Sequence, residues 1–164
     1  YIHNFNNFYS KMISIRNIIM LNISHYKIIA IGKIKKKWIQ EGIEMYLKRL
    51  PGLEVKEIKD STQAKEEHTI KEIISKNEFL VTLNENGQSF TSKQLATKLL
   101  TSHNQNITFV IGGASGLTSS LNNLASWQLS LSPLTFPHEI ARLLLIEQLY
   151  RAKTITQGGP YHKE

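Results

Sequence analysis

Ile107-Thr108-Phe109-Val110-Ile111-Gly112-Gly113-Ala114-Ser115-Gly116-Leu117 is the stretch on which the fold turns. A mostly apolar run ends in a glycine pair and a third glycine, the pattern of a buried strand that stops in tight, small-residue backbone. A second apolar run, Trp127 to Leu131, follows a short helical segment and enters the hinge Ser132-Pro133-Leu134-Thr135-Phe136-Pro137. Two strand ends thus each pass directly into irregular backbone. In open α/β sheets ligands sit beyond the carboxyl ends of the strands, so these two segments are where a cofactor is expected.

Upstream the same alternation repeats. Lys27 to Ile31 is an apolar run closed by Gly32 and reads as a strand. Lys33-Ile34-Lys35-Lys36-Lys37 then leaves its end as a basic loop, either a solvated connection or a rim that meets phosphates. Trp38 to Leu50 carries Ile39, Ile43, Tyr46, Leu47 and Leu50 at helical spacing and stops at Pro51-Gly52. Leu53 to Lys59 is a charged, partly alternating strand suited to a sheet edge. An exposed helix over Ala64 to Ser75 precedes a third apolar strand, Phe79 to Leu83, which a polar turn, Asn84-Glu85-Asn86-Gly87, is expected to end. Thr91 or Ser92 can cap a helix running to about Ser102. Strand and helix in repeated alternation give an α/β fold with a mainly parallel sheet flanked by helices.

The final helix, His138 to Lys153, follows Pro137, whose missing N–H costs nothing in a first turn. At 100° per residue His138, Glu139 and Arg142 lie on one edge and Glu147, Gln148 and Arg151 on the opposite one. Ile140, Leu143, Leu144, Leu145, Leu149 and Tyr150 fill both flanks, which implies burial from two sides and points to a second subunit as the second cover.

The totals bound the remaining choices. The 164 residues, 41% of them hydrophobic, suffice for one domain with a sizeable core. Residues 26–164 read as that domain and residues 1–25 as an extension, with Met20 as the natural start. There is no cysteine, which excludes thiolate metal sites and a cysteine nucleophile and suits a reducing cytoplasm. No run reaches the ~20 apolar residues of a membrane span. The net charge of +7 favours an anionic partner such as nucleic acid.

Several chemistries fail on their motifs. Neither the dinucleotide fingerprint nor a Walker loop is present. The six histidines are scattered without ligand spacing, so no metal is expected. Gly113-Ala114-Ser115-Gly116 approaches a nucleophile elbow, but Leu117 stands where a glycine is needed, and a triad would have to recruit Glu139 or Glu147 with His162. What remains is a pocket of small-residue backbone, suited to adenine and ribose held by main-chain groups and to a donor such as S-adenosylmethionine that brings its own electrophile. His162 is the titratable tail group matched to neutral pH, with Tyr161, Lys163, Arg151 and Arg142 offering stacking and phosphate contacts.

Ordered along the chain, Ala30-Ile31-Gly32-Lys33, Tyr46-Leu47-Lys48-Arg49-Leu50, Thr82-Leu83, Val110-Ile111-Gly112-Gly113 with Gly116-Leu117, and Leu129-Ser130-Leu131-Ser132 with Leu134-Thr135-Phe136-Pro137-His138 form one pattern. Arg142, Glu147-Gln148-Leu149-Tyr150-Arg151-Ala152 and the terminal Tyr161-His162-Lys163 complete it. In this combination the chain, from about Lys27 to Lys163, resembles the ribosomal RNA large subunit methyltransferase H family, small knotted enzymes of the SPOUT class. The amino-terminal extension departs from that pattern.

The resemblance implies a deep trefoil knot at the carboxyl end and a homodimer whose tail reaches the partner's cofactor site. It implies transfer of a methyl group from S-adenosylmethionine to N3 of a pseudouridine in 23S rRNA, on the assembled ribosome. Carried over by position, Leu83, Gly112, Leu131, Ser132, Pro133, Leu134, Thr135 and Phe136 would hold the cofactor. His162 would deprotonate or orient the base, Tyr161 would stack nearby, and Arg142 would contact phosphate or base. An RNA-binding protein without catalysis, a methyltransferase for another RNA such as tRNA, and a hydrolase using Ser115 are the rival readings.

Overall fold

In a computed structural model of the chain, residues 20–102 and 105–161 are described. Five strands, β1 (Tyr26–Ile31), β2 (Glu54–Ile58), β3 (Phe79–Ser89), β4 (Ile107–Ile111) and β5 (Trp127–Ser130), form one sheet in the order β2-β1-β4-β3-β5. All four pairings are parallel, so every carboxyl end points the same way. Five helices connect and cover them: α1 (Lys37–Leu47), α2 (Gln63–Ile73), α3 (Ser92–Thr101), α4 (Ser119–Leu124) and α5 (His138–Thr156).

Side chains alternate across each strand, and both faces are apolar because both are covered. Ile28, Ala30, Val81, Phe109 and Leu129 face a core completed by Ile39 and Ile43 of α1, Leu95 and Leu99 of α3, and Leu145 and Leu149 of α5. Ile29, Ile31, Leu80 and Val110 face the other way, onto Ile70 of α2 and Leu121 of α4. The charged strand β2 lies at the sheet edge, as its pattern predicts. Leu21 and Ile23 are buried in the first core, so packing begins ahead of Tyr26.

Two expectations change. The segment Asn84–Gly87 does not end β3; the strand continues to Ser89, and Leu83 and Gln88 both face Leu129 across a register jump. The residues between bulge outward, held where Asn84 Nδ2 donates to Gln128 Oε1 at 2.8 Å and Asn86 N donates to Asn84 Oδ1 at 3.0 Å. Gly87 makes the close return workable, since a Cβ there would stand 2.7 Å from the Gln128 carbonyl oxygen.

The second change concerns α5. It packs between α1 and α3 and buries Leu145 and Leu149 there, while Ile140, Leu143, Leu144 and Tyr150 stay partly exposed. Leu143 fits against Gly42 of α1, with 3.2 Å from its Cδ1 to the position of an added Cβ, and Gln148 Oε1 accepts from Ser92 Oγ of α3 at 2.8 Å. Arg142, expected on a polar edge, is 1% exposed because the ends of β1 and β2 supply its partners.

Candidate active site

A cavity of about 730 Å³ opens beyond the carboxyl ends of β3, β4 and β5. Three segments wall it: Leu83, Asn84 and Glu85 from the β3 bulge, Ile111 to Leu117 after β4, and, after β5, Leu131, Ser132, Leu134 to His138 and Ala141. Leu83, Gly112, Leu131, Ser132, Leu134, Thr135 and Phe136 all line it, so seven of the eight expected cofactor residues come together there. Pro133 lies in the same loop, exposed, but not in the wall.

The glycine turn is tight. Gly116 N donates to Gly113 O at 3.1 Å, and Gly116 takes φ +68°, a left-handed conformation natural to glycine. A Cβ on Gly112 would meet Gly116 C at 2.8 Å, with only backbone to yield. From outside, Gln63 Nε2 donates to the Ser115 and Gly116 carbonyls at 2.8 and 3.3 Å. Thr118 caps α4, accepting from Leu121 N at 3.2 Å, and its hydroxyl donates to Glu67 of α2 at 2.7 Å. Lys71 bonds the same carboxylate, and these donors, Lys71 foremost, hold Glu67 at a pKa of about 2. Gln63 and Glu67, in the first two turns of α2, therefore hold the glycine loop and the cap of α4 that follows it.

The opposite wall is laced to the β3 bulge. Ser130 Oγ lies 3.0 Å from both the Glu85 and the Ser132 carbonyl oxygens, Leu134 N donates to Ser132 Oγ at 3.1 Å, and Thr135 Oγ1 donates to Glu85 Oε2 at 2.8 Å. Glu85 is the one acidic side chain in the wall and His138 the one other ionisable group. Leu134 is 70% exposed, an apolar side chain presented at the rim. Neither Asn84, Glu85 nor His138 was marked as a cofactor residue by the sequence. Their only signal was position after a strand end or after the hinge.

Arg142 and Tyr161 lie elsewhere. Arg142 donates through Nη1 to Glu57 Oε1 at 2.5 Å and through Nη2 to the Gly32 carbonyl at 2.7 Å. It holds the ends of β1 and β2 beside the cavity and does not line it. Tyr161 sits against α1 and α5: its hydroxyl is 3.1 Å from that of Tyr46 and 3.2 Å from Glu147 Oε1, and its ring meets Tyr150 edge-on at 4.7 Å with the Arg151 guanidinium 4.8 Å away. Burial, then the Tyr46 hydrogen bond, push its pKa well up, so it stays a neutral phenol. His162 and Lys163 fall outside the described residues.

The described members of the triad alternative have other partners or stand apart. Ser115 lines the cavity, but Glu139 accepts from the Lys35 and Lys36 amides and Glu147 is bound by Arg151 and Tyr161. Among the described residues no cluster of three or more histidine or acidic side chains could hold a metal, and no helix is long and apolar enough to cross a membrane.

A parallel sheet with a backbone-walled cavity at its carboxyl edge agrees with the outcome of comparison with known proteins. A family model described as predicted SPOUT methyltransferase matches residues 24–162, and the chain belongs to that family. The fold is shared with a "probable methylase family protein" from Haemophilus influenzae Rd KW20, at a TM-score of 0.55 and 13% identity over 85% of this chain and 71% of that one.

Within the class the relatives are specific. The chain is 98% identical, over 88% of its length and all of the relative's, to ribosomal RNA large subunit methyltransferase H of Prochlorococcus marinus (strain NATL1A). It is 53% identical to the protein of the same name from Synechococcus sp. (strain CC9311), over 87% of this chain and 99% of that one. Its place is in the ribosomal RNA large subunit methyltransferase H family.

Proposed function

We propose that the chain is a cytoplasmic, homodimeric enzyme that methylates N3 of a pseudouridine in 23S rRNA of the assembled ribosome, using S-adenosylmethionine. The observation that carries the reading is the cavity walled by the glycine turn and the post-β5 loop, in a chain 98% identical to a ribosomal RNA methyltransferase. The cavity fits the cofactor. Its volume is within the usual range for small-molecule sites, its walls are mainly backbone and apolar side chains, and Gly112 keeps clear a space that a Cβ would fill.

S-adenosylmethionine supplies a methyl group on a sulfonium, open to displacement by a nucleophilic nitrogen. The loops' amides and carbonyls would bind adenine and ribose, while the Glu85 carboxylate favours a cationic group. Leu134 and Phe136 would present apolar surface to the bound cofactor. As the N3–C bond forms, N3 loses its proton, and His162 is the residue assigned to accept it or to orient the base. Tyr161, neutral and anchored, stacks rather than titrates. Arg142 is assigned to positioning: it holds Gly32 and β1 where the rim begins. The family resemblance carries the trefoil knot and the pairing of two chains.

Transfer of a labelled methyl group to ribosomes lacking the modification tests the reading, with the modified base identified by mass. Label on N3 of a single 23S pseudouridine is expected. Label on tRNA alone, or none with S-adenosylmethionine bound, overturns it.

A further inference from the structure

Four lysines leave the end of β1 within five residues, Lys33, Lys35, Lys36 and Lys37, and all four are exposed. Lys33, Lys35 and Lys36 make no ion pair among the described residues, and Lys37 only a loose one with Glu41 at 3.6 Å between two well-exposed side chains. Their backbone, by contrast, is held. Glu139 Oε2, in the first turn of α5, accepts from Lys35 N at 2.9 Å and from Lys36 N at 3.3 Å, and Ile34 packs against the core. Those backbone donors, Lys35 first, keep the Glu139 carboxyl below the usual carboxylate range, so the clamp stays charged at neutral pH.

The loop also has a fixed relation to the cavity. Gly32, just before it, abuts His138 of the cavity wall, where an added Cβ would be 3.1 Å from Nε2, and its carbonyl is held by Arg142. A pinned backbone that presents four cationic side chains with only Glu41 and Glu139 near them is poor design for stability, since like charges repel with little compensation. It is good design for polyanion binding, because the ordering cost is already met and counterions are released on contact. Trp38 follows, 58% exposed, and offers a ring for stacking.

We infer that Lys33–Lys37, clamped by Glu139, is the arm that grips the RNA sugar-phosphate backbone beside the target nucleotide. This rests on the RNA-methyltransferase reading and adds to it the surface that receives the substrate. The arm supplies affinity and register and takes no part in bond making, so its loss acts on KM for RNA and leaves kcat and cofactor binding intact.

The test compares the parent with a quadruple variant, Lys33→Gln, Lys35→Gln, Lys36→Gln and Lys37→Gln, and with the matching quadruple Lys→Arg variant. Methyl transfer to unmodified ribosomes and direct binding to them are followed across about 50 to 200 mM salt. S-adenosylmethionine affinity is measured separately by calorimetry. The glutamine variant is expected to show KM and ribosome Kd raised about tenfold or more at low salt, with the log–log salt slope shallower by about one per lost phosphate contact. Its kcat and cofactor affinity stay within about twofold of the parent's, and the arginine variant keeps the parent's KM. Glu139→Ala, with all lysines present, is expected to weaken ribosome binding while the melting profile shifts little.

Unchanged KM, Kd and salt slope in the glutamine variant overturn the arm. A parent that transfers no methyl group to ribosomes overturns the enzymatic reading instead. The binding comparison then still decides the arm, because equal affinities of parent and glutamine variant reject it and a charge-dependent loss supports it.

Discussion

Gly112 and Glu85 show how much rests on single positions around the cavity. At Gly112 the obstacle to any side chain is backbone, Gly116 C and Cα at 2.8 and 3.0 Å from a built Cβ, which cannot rotate away. Gly112→Ala is expected to cost about 2 kcal/mol in denaturant unfolding, and to lower S-adenosylmethionine affinity through the displaced loop. Glu85→Gln tests electrostatics with shape preserved. An amide still accepts from Thr135 Oγ1, but the charge facing a cationic cofactor is gone. Calorimetry is expected to give about tenfold weaker binding of S-adenosylmethionine, with a smaller loss for S-adenosylhomocysteine, which lacks the sulfonium charge. The glycine turn was legible because its signal is local: three small residues directly after an apolar run. Glu85 was not, because its role depends on a register jump that brings the bulge against Thr135, fifty residues later.

At the scale of elements, β1, β4 and β5 follow directly from their apolar runs, and β2 is an edge strand because its charges leave it nowhere else. The misreadings share one cause, distance along the chain. The polar run Asn84–Gly87 looks like a turn until Gln128 supplies hydrogen bonds that keep it against the sheet. Arg142 looks like a surface cation until Glu57 and Gly32 meet it, 85 and 110 positions away. Its removal should act on stability first: Arg142→Ala leaves the Gly32 carbonyl unpartnered and a void in the core, costing about 3 kcal/mol in chemical denaturation. Were Arg142 instead a direct RNA contact, KM would rise with stability unchanged. Gln63→Ala, at the start of α2, should loosen the glycine loop and raise the Kd for S-adenosylmethionine a few-fold with an unchanged melt, and Gln63→Glu should not restore it.

For the whole molecule, charge couples stability to pH. Burial of Glu78 raises its pKa, but the Lys27 ammonium at 2.7 Å and the Thr108 hydroxyl at 2.6 Å outweigh it, and the net pKa is depressed. A depressed carboxyl stabilises the fold above its unfolded pKa of 4.5 and loses that contribution as pH falls through the folded value; Glu67, at about 2, behaves likewise. Thermal melts should therefore hold from neutral pH to about pH 5 and fall progressively below it. Lys27→Met is expected to cost about 3 kcal/mol at neutral pH, and its deficit against the parent should shrink in acid as Glu78 takes up a proton.

The placing of α5 between α1 and α3 also bears on how the chain is made. Translation delivers that helix last of the described elements, yet it supplies the central filling of one sheet face. Until it emerges, α1 and α3 cover Ile28, Ala30 and Phe109 without the Leu145 and Leu149 that complete that core, and every strand pairing is between segments far apart along the chain. Such an order predicts slow refolding, on the scale of milliseconds to seconds, and nascent chains prone to aggregate until α5 has emerged.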